Sequence, residues 1–304
     1  MKRSDFATLL LLAALWGSSY LFMRLGAGEF GAIPFAGLRA GLATLLLLPL
    51  VAWRGGLAAL GQHWRPIALI GLTQSALPFV LFSYAALHLT TGLSAILGAT
   101  TPLFTALVSW AWLGDRPNPS RLTGLMVGFA GVVWLVWEKA SLKSDSAAAG
   151  LAVAACLLAA LLYGFSSNYT KQRAGQVPPL VVAAGCQLAS TLFLLIPAGT
   201  AWPATMPGPR AWVAVITIAV LCTALAYVLF FRLIARVGAA RTVAVTFLIP
   251  AFGVLWGAVF LHEVITSATV LGCAVILTGT GLTTGFIRLP VLRLPKPASG
   301  PLSP

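Results

Sequence analysis

The chain is 304 residues long, with 59% hydrophobic residues, 8% charged ones and a formal net charge of +13. A soluble domain carries about a quarter charged residues; a chain this poor in charge cannot keep its own surface hydrated, which excludes a soluble enzyme or a nucleic-acid binder. A mean hydropathy of +0.96 leaves a polytopic membrane protein, and this length permits about ten spanning helices of about 20 residues each.

Ten apolar stretches follow one another, at 5–26, 33–53, 66–88, 91–114, 121–137, 148–170, 179–199, 211–231, 238–262 and 267–287. Lys2 and Arg3 precede the first in the manner of a secretion signal. Its apolar run is long, however, and no small-x-small cleavage site follows promptly, so it reads as a retained helix. The interruptions at 54–65, 138–147 and 200–210 read as short loops that hold no soluble domain. The proline-rich segment 289–304 (LPVLRLPKPASGPLSP) reads as a disordered cytoplasmic tail.

Alternating the connections across the membrane puts Lys2, Arg3, Arg54, Arg65, Arg116, Arg121, Lys171, Arg173, Arg232, Arg236, Arg241, Arg288, Arg293 and Lys296 on one face. Arg24, Lys139, Lys143 and Arg210 fall on the other, and Arg39 lies inside the second helix. The positive-inside rule then places both termini in the cytoplasm, and the high charge is a topology signal. Trp53, Trp64, Trp110, Trp112, Trp134, Trp137, Trp202 and Trp212 fall near helix ends, as an interfacial belt does. Trp16 and Trp256 sit well inside their helices and remain candidates for a site. Cys156, Cys186, Cys222 and Cys273 lie in apolar stretches without CxxC spacing or clustered histidines. They read as small buried residues, so no metal and no cofactor is expected.

The two halves repeat at a constant offset: Pro49 falls on Pro197, Phe79 on Tyr227, Phe82 on Phe230, Pro102 on Pro250, Asp115 on Glu263, Gly124 on Gly272 and Gly131 on Gly279. The repeats are 1–147 and 148–288, five helices each. An odd number of helices makes the copies enter the membrane in opposite directions, the arrangement by which many secondary transporters obtain two access states around one central site.

Several residues carry a family resemblance: Trp16-Gly17, Arg39, the stretch LSAILGATTPLFTALVSWAWLGD from Leu93 to Asp115 with the following RLTGLMVGFAGVVWL, and their second-half counterparts RTVAVTFLIPAFGVLWGAVFLHE and TVLGCAVILTGTGL. Over nearly its whole length the chain resembles the drug/metabolite transporter superfamily. It is similar to the ten-helix EamA type and, within it, to the bacterial aromatic amino-acid exporters. It departs in ending the fourth and ninth helices with Gly-Asp and His-Glu where the family usually has Gly-Glu. The resemblance implies a basket of helices around a central cavity, with the fifth and tenth helices peripheral.

Arg39 lies about six residues, or roughly 9 Å, into its helix. A lipid-facing arginine there costs about 2.5–3.5 kcal/mol, so it should point inward. Two roles are open to it: a counter-charge for a substrate carboxylate, or a clamp on backbone carbonyls near a broken helix or on Glu29. Asp5, Glu29, Asp115, Glu138, Asp145 and Glu263 all fall at helix ends or in loops, and His63, His88 and His262 likewise. With no acid at the midplane, where proton-coupled carriers place a titrating relay, the chain reads as a uniporter or weakly coupled carrier. Trp16 and Tyr20 (one turn apart), Phe79, Tyr163 and Tyr227 are the mid-helix aromatics, suited to a ring or a cationic head. Ser18, Ser19, Gln74, Thr100, Thr101, Ser167, Asn168, Gln187 and Thr246 are polar partners at similar depth. Pro78, Pro102 and Pro250 fall inside helices and should kink them, with the pair Pro102/Pro250 as hinges or as static bends. Gly37-x-x-x-Gly41 and Gly124-x-x-x-Gly128 read as packing faces within a monomer.

Gly26-Ala-Gly28-Glu-Phe-Gly31 spells GxGxxG but follows a membrane helix and no strand, and HExxH, GxSxG and P-loop lysine motifs are missing. No enzyme is expected. The expected function is export of amino acids, aromatic or otherwise apolar, across a bacterial inner membrane by alternating access. The alternatives are a multidrug exporter of cationic compounds and a non-transporting scaffold.

Overall fold

The protein is described by a computed structural model over residues 3–140, 146–238, 242 and 244–287. Lys2, Lys143, Asp145, Arg241, Arg288, Arg293, Lys296 and the tail 289–304 lie outside the described residues, as do the side chains of Trp137, Glu138 and Lys139. Among the described residues all regular structure is helical. In chain order the helices are α1 (Arg3–Phe30), α2 (Ala32–Trp53), a short α3 (Leu57–Gln62), α4 (Trp64–His88), α5 (Thr91–Gly98), α6 (Thr101–Leu113), α7 (Pro119–Ala140), α8 (Ser146–Arg173), α9 (Pro179–Thr200), α10 (Pro209–Val237), α11 (Val245–Leu261) and α12 (Ser267–Thr284).

These helices make ten membrane passes. Among the described residues eight are long and apolar enough to cross by length and composition, α5 and α6 counting together as one, and the apolar stretches Pro119–Leu135 of α7 and Val245–Leu261 of α11 supply the other two. The loop read at 54–65 contains α3, whose residues are not buried. The fourth pass is broken at Ala99–Thr100, which changes the reading of its proline. Pro102 does not kink a helix interior; it opens α6 in its first turn, where its missing N–H has no helical partner to lose. Thr100 and Thr101 donate to the carbonyls of Leu97 (2.6 Å) and Gly98 (2.8 Å), satisfying groups freed by the break. Pro250, the repeat counterpart, does lie inside α11.

The halves repeat in detail as well as in outline. Gly114 and His262, which coincide when the halves are superposed in sequence, are both left-handed C-caps, with φ of 70° and 54°. Asn118 and Thr266, again repeat counterparts, cap the next helices by accepting from the backbone N–H of Arg121 (2.8 Å) and Thr269 (3.2 Å). The outermost pair, α7 and α12, pack on each other through glycine: a Cβ on Gly124 would meet Thr283 and the Gly279 carbonyl at 2.5–2.7 Å. Gly37 likewise admits Ala198 of α9, so both GxxxG faces serve contacts within the chain. Gly17 brings α1 against Phe252 and Gly253 of α11, and Gly164 brings α8 against the backbone of Phe104 and Thr105 in α6.

The core differs between the two ends of the molecule. Toward the face opposite the N-terminus (the far face), one cluster runs through Met23, Phe35, Phe82, Leu93, Val132, Cys156, Val215 and Ile276, joining helices of both repeats. Toward the N-terminal face the core divides among the described residues. One part, around Leu47, Ile67, Val181 and Ala224, is separate from another around Leu12, Ala13, Leu233 and Val245. All of Thr91–Leu97 in α5 is buried, whereas α6 buries only Leu103. Among the described residues the buried core is thus continuous in the far half and divided in the other.

Candidate functional site

Two helices widen at matching points. α4 contains a π-helical turn at Leu72–Ala76 and α10 one at Val220–Leu225, and their first residues, Leu72 and Val220, are repeat counterparts. A π turn inserts a residue into the helical register and re-aims the side chains around it. In α4, Pro78 offers a cause, since it has no N–H for the carbonyl of Gln74. In α10 the corresponding residue is Ala226, and Thr223 instead donates its hydroxyl to the Ile218 carbonyl (2.9 Å).

Each turn presents one hydroxyl to a buried side chain of the other repeat. Arg39 in α2 donates from Nε to Thr223 Oγ1 at 3.0 Å. Gln187 in α9 donates from Nε2 to Ser75 Oγ at 3.1 Å. Arg39 and Gln187 are repeat counterparts, and so are Ser75 and Thr223, so one hydrogen bond between repeats is made twice. Only one of the two copies carries charge.

Arg39 is 7% exposed, and its guanidinium carbon lies 3.7 Å from the ring centroid of Phe79, a cation–π contact. It is within electrostatic range of Tyr163, Cys222, Tyr227 and Tyr20. Among the described residues the ion pairs are Arg121–Asp115 and Arg236–Asp5, so no carboxylate reaches Arg39. The clamp expected from the sequence is made differently: Arg39 holds a hydroxyl, and Glu29 accepts from the backbone N–H of Gly208 at 2.6 Å. A buried, unpaired cation among tyrosines and a phenylalanine is a place where an anion gains its full electrostatic benefit.

Two runs of rings flank Arg39. Tyr20 meets Phe82 edge-on (5.5 Å) and Phe82 stacks with Tyr163 (6.0 Å). Trp16 packs on Phe230 (5.2 Å), which touches Phe231 (5.5 Å), stacked in turn with Tyr227 (6.1 Å). The Tyr20 hydroxyl lies against Gly98, at the break between α5 and α6, in space a Cβ would occupy. Ser18 Oγ is 3.4 Å from Cys222 Sγ.

The structure thus gathers Arg39, Tyr20, Phe79, Tyr163 and Tyr227, with Trp16 at the edge. Ser19 is buried beside Cys222, and Gln74 is half-buried on the π turn of α4. Others are committed to the protein itself. Asn168 donates to the carbonyls of Thr105 (2.9 Å) and Gly164 (3.1 Å), fastening α8 to α6. Thr101 caps the break, and Gln187 is fully buried. Trp256 donates its indole N–H to the Ala14 carbonyl (3.1 Å) and stacks on Phe252 (6.0 Å), joining α11 to α1. Ser75 and Thr223 are not named by the sequence reading, and Phe82 and Cys222 enter it only as a repeat counterpart and as a small buried residue. The signal for Ser75 and Thr223 is present all the same, in the same repeat offset that pairs Arg39 with Gln187. A lateral apolar groove of about 370 Å³ between α2 and α9, walled by Gly37, Leu45, Leu194 and Trp202, opens toward lipid and is separate from this cluster.

An all-helical membrane protein of two inverted repeats, with a polar cluster held between them, is a transporter by class. The chain belongs to the EamA-like transporter family, whose pattern matches twice, over residues 6–137 and 150–285. An uncharacterized transporter of Archaeoglobus fulgidus is 27% identical over 93% of this chain and 98% of its own. A probable terminal-alkyne amino-acid exporter of Streptantibioticus cattleyicolor is 26% identical over 90% of this chain and 91% of its own. The uncharacterized inner membrane transporter YedA of Escherichia coli is 30% identical over 43% of this chain and 42% of its own. A protein of known crystal structure, 19% identical, shares the fold with a TM-score of 0.66 over 94% of this chain and 98% of its own.

Proposed function

We propose that the protein exports amino acids, aromatic or otherwise apolar, across a bacterial inner membrane by alternating access, with both termini in the cytoplasm. Arg39 carries this reading: a buried guanidinium without a carboxylate partner among the described residues is completed by a substrate carboxylate. Phe79, Tyr20, Tyr163 and Tyr227 supply ring faces for the side chain of the substrate, worth about 0.5–1.5 kcal/mol per aromatic pair beyond area burial. The amino-acid exporter among the relatives supports the same substrate class.

Because the described acidic side chains Asp5, Glu29, Asp115 and Glu263 all lie at helix ends, transport runs down the substrate gradient as uniport or with weak coupling. Pro102 at the head of α6 and Pro250 within α11 act as the hinges of the two repeats.

The test is flux into proteoliposomes of labelled phenylalanine, of its amide and of phenethylamine, with and without an imposed proton gradient. Free phenylalanine crosses fastest, and an imposed gradient leaves its rate unchanged. A strict requirement for the proton gradient overturns uniport. Faster flux of the amine than of the amino acid overturns the carboxylate reading in favour of cationic substrates.

A further inference from the structure

We infer that Glu263 is the gate residue that holds the far face closed, and that its engagement sets the balance between the two access states, whichever substrate is carried.

Glu263 follows the left-handed cap His262 at the end of α11. Its carboxylate accepts the backbone N–H of Thr91 at 2.8 Å and of Gly92 at 3.3 Å, the first two residues of α5 in the other repeat. With Thr90 accepting from the N–H of Leu93 (3.3 Å), three free amides of that helix start are satisfied. A carboxylate at a helix N-terminus also gains from the helix dipole. The fit is close: a Cβ on Gly257 would collide with Glu263 Oε2, and one on Gly92 would stand 2.9 Å from Val254. Below this junction lies the continuous core of the far half.

The counterpart at the N-terminal face shows what the contact means. Glu263 donates its own N–H to the carbonyl of Gly257 (3.1 Å), and its repeat counterpart Asp115 donates its N–H to the carbonyl of Ser109 (3.3 Å), the counterpart of Gly257. The backbone device that aims the two carboxylates is the same. Asp115, by contrast, is 58% exposed, and among the described residues it pairs with Arg121 and Ser109 of its own repeat, each at 3.4 Å. One carboxylate bridges the repeats at the far face. Its twin is largely exposed at the N-terminal face. Opening the far face must separate α11 from the start of α5, and the bonds to be broken are those of Glu263.

The experiment uses the full chain in lipid nanodiscs with Val254→Cys as reporter, at the junction that Glu263 closes. A hydrophilic maleimide reads its accessibility, and peptide mass spectrometry separates it from the native cysteines. Glu263→Gln keeps the shape and removes the charge that strengthens both amide bonds; the reporter reacts about tenfold faster. Gly257→Ala, which puts a methyl where the carboxylate lies, speeds it by a second route and stands in should Glu263→Gln not fold. Asp115→Asn leaves the rate within about twofold of the parent, because Asp115 is largely exposed and lies at the face opposite the reporter. Unchanged reactivity in the folded Glu263→Gln chain overturns the proposal. So does an equal rise with Asp115→Asn, which marks a general loosening.

Discussion

Arg39→Gln is the sharpest test of the carboxylate reading, because the protein already contains its own control. Gln187 occupies the repeat-related position and donates to Ser75 as Arg39 donates to Thr223. A glutamine at 39 therefore has a workable geometry toward Thr223, and the chain keeps its fold. What it loses is the charge and the cation–π contact at 3.7 Å over Phe79. Hydrogen bonds to a charged group contribute about 1.5–3 kcal/mol, and 1.4 kcal/mol is about a factor of ten. Transport of free phenylalanine should therefore fall about 10- to 100-fold in kcat/KM, while flux of an uncharged ester or amide falls by less than about threefold. Proteoliposome flux of the pair of substrates, with the melting temperature of each variant measured alongside, reads both quantities. Equal losses for the acid and its amide, or a loss below about twofold for the acid, refute the role assigned to Arg39.

Other perturbations address the rings and the helix crossings. Trp16→Ala and Tyr163→Ala each remove one ring from the two runs flanking Arg39, and each should lower phenylalanine flux about tenfold while the purified protein stays monodisperse. Normal flux in both removes these residues from the site. Gly98→Ala places a methyl against the Tyr20 hydroxyl and should impair transport; Tyr20→Phe in the same chain removes the clashing oxygen and should restore at least half of the loss. Additive losses in that double variant exclude the contact. Gly17→Ala puts a Cβ 2.6 Å from that of Phe252 and should destabilise the α1–α11 crossing by about 1–3 kcal/mol, read as a lower midpoint of thermal unfolding. An unchanged midpoint means that crossing is looser than described.

Much of the fold was legible in the order of residues. Hydrophobic runs of spanning length report helices directly, because in lipid each helix satisfies its own backbone. The repeat offset and the odd number of helices per half were countable, and so was the inward direction of Arg39, since no lipid-facing alternative is affordable. The break in the fourth pass was not legible: Thr100-Thr101-Pro102 is as compatible with a kinked continuous helix as with a new start, and packing against Tyr20 and α8 accompanies the choice made. Pro102 was misread for that reason.

What the sequence determined by itself is the number of passes, their alternation and the pairing of positions between repeats, all properties of local hydropathy and of comparison along the chain. What only the tertiary structure decided is which pairs meet. The one-residue widening of a π turn leaves no trace in hydropathy, yet it brings Thr223 to Arg39, 184 residues away, and Ser75 to Gln187. The difference between Glu263, engaged, and Asp115, exposed, is also invisible in sequence. Two repeat-related chain segments cannot reveal which end of the molecule has the continuous core, because that is a property of how the repeats pack and not of either repeat alone.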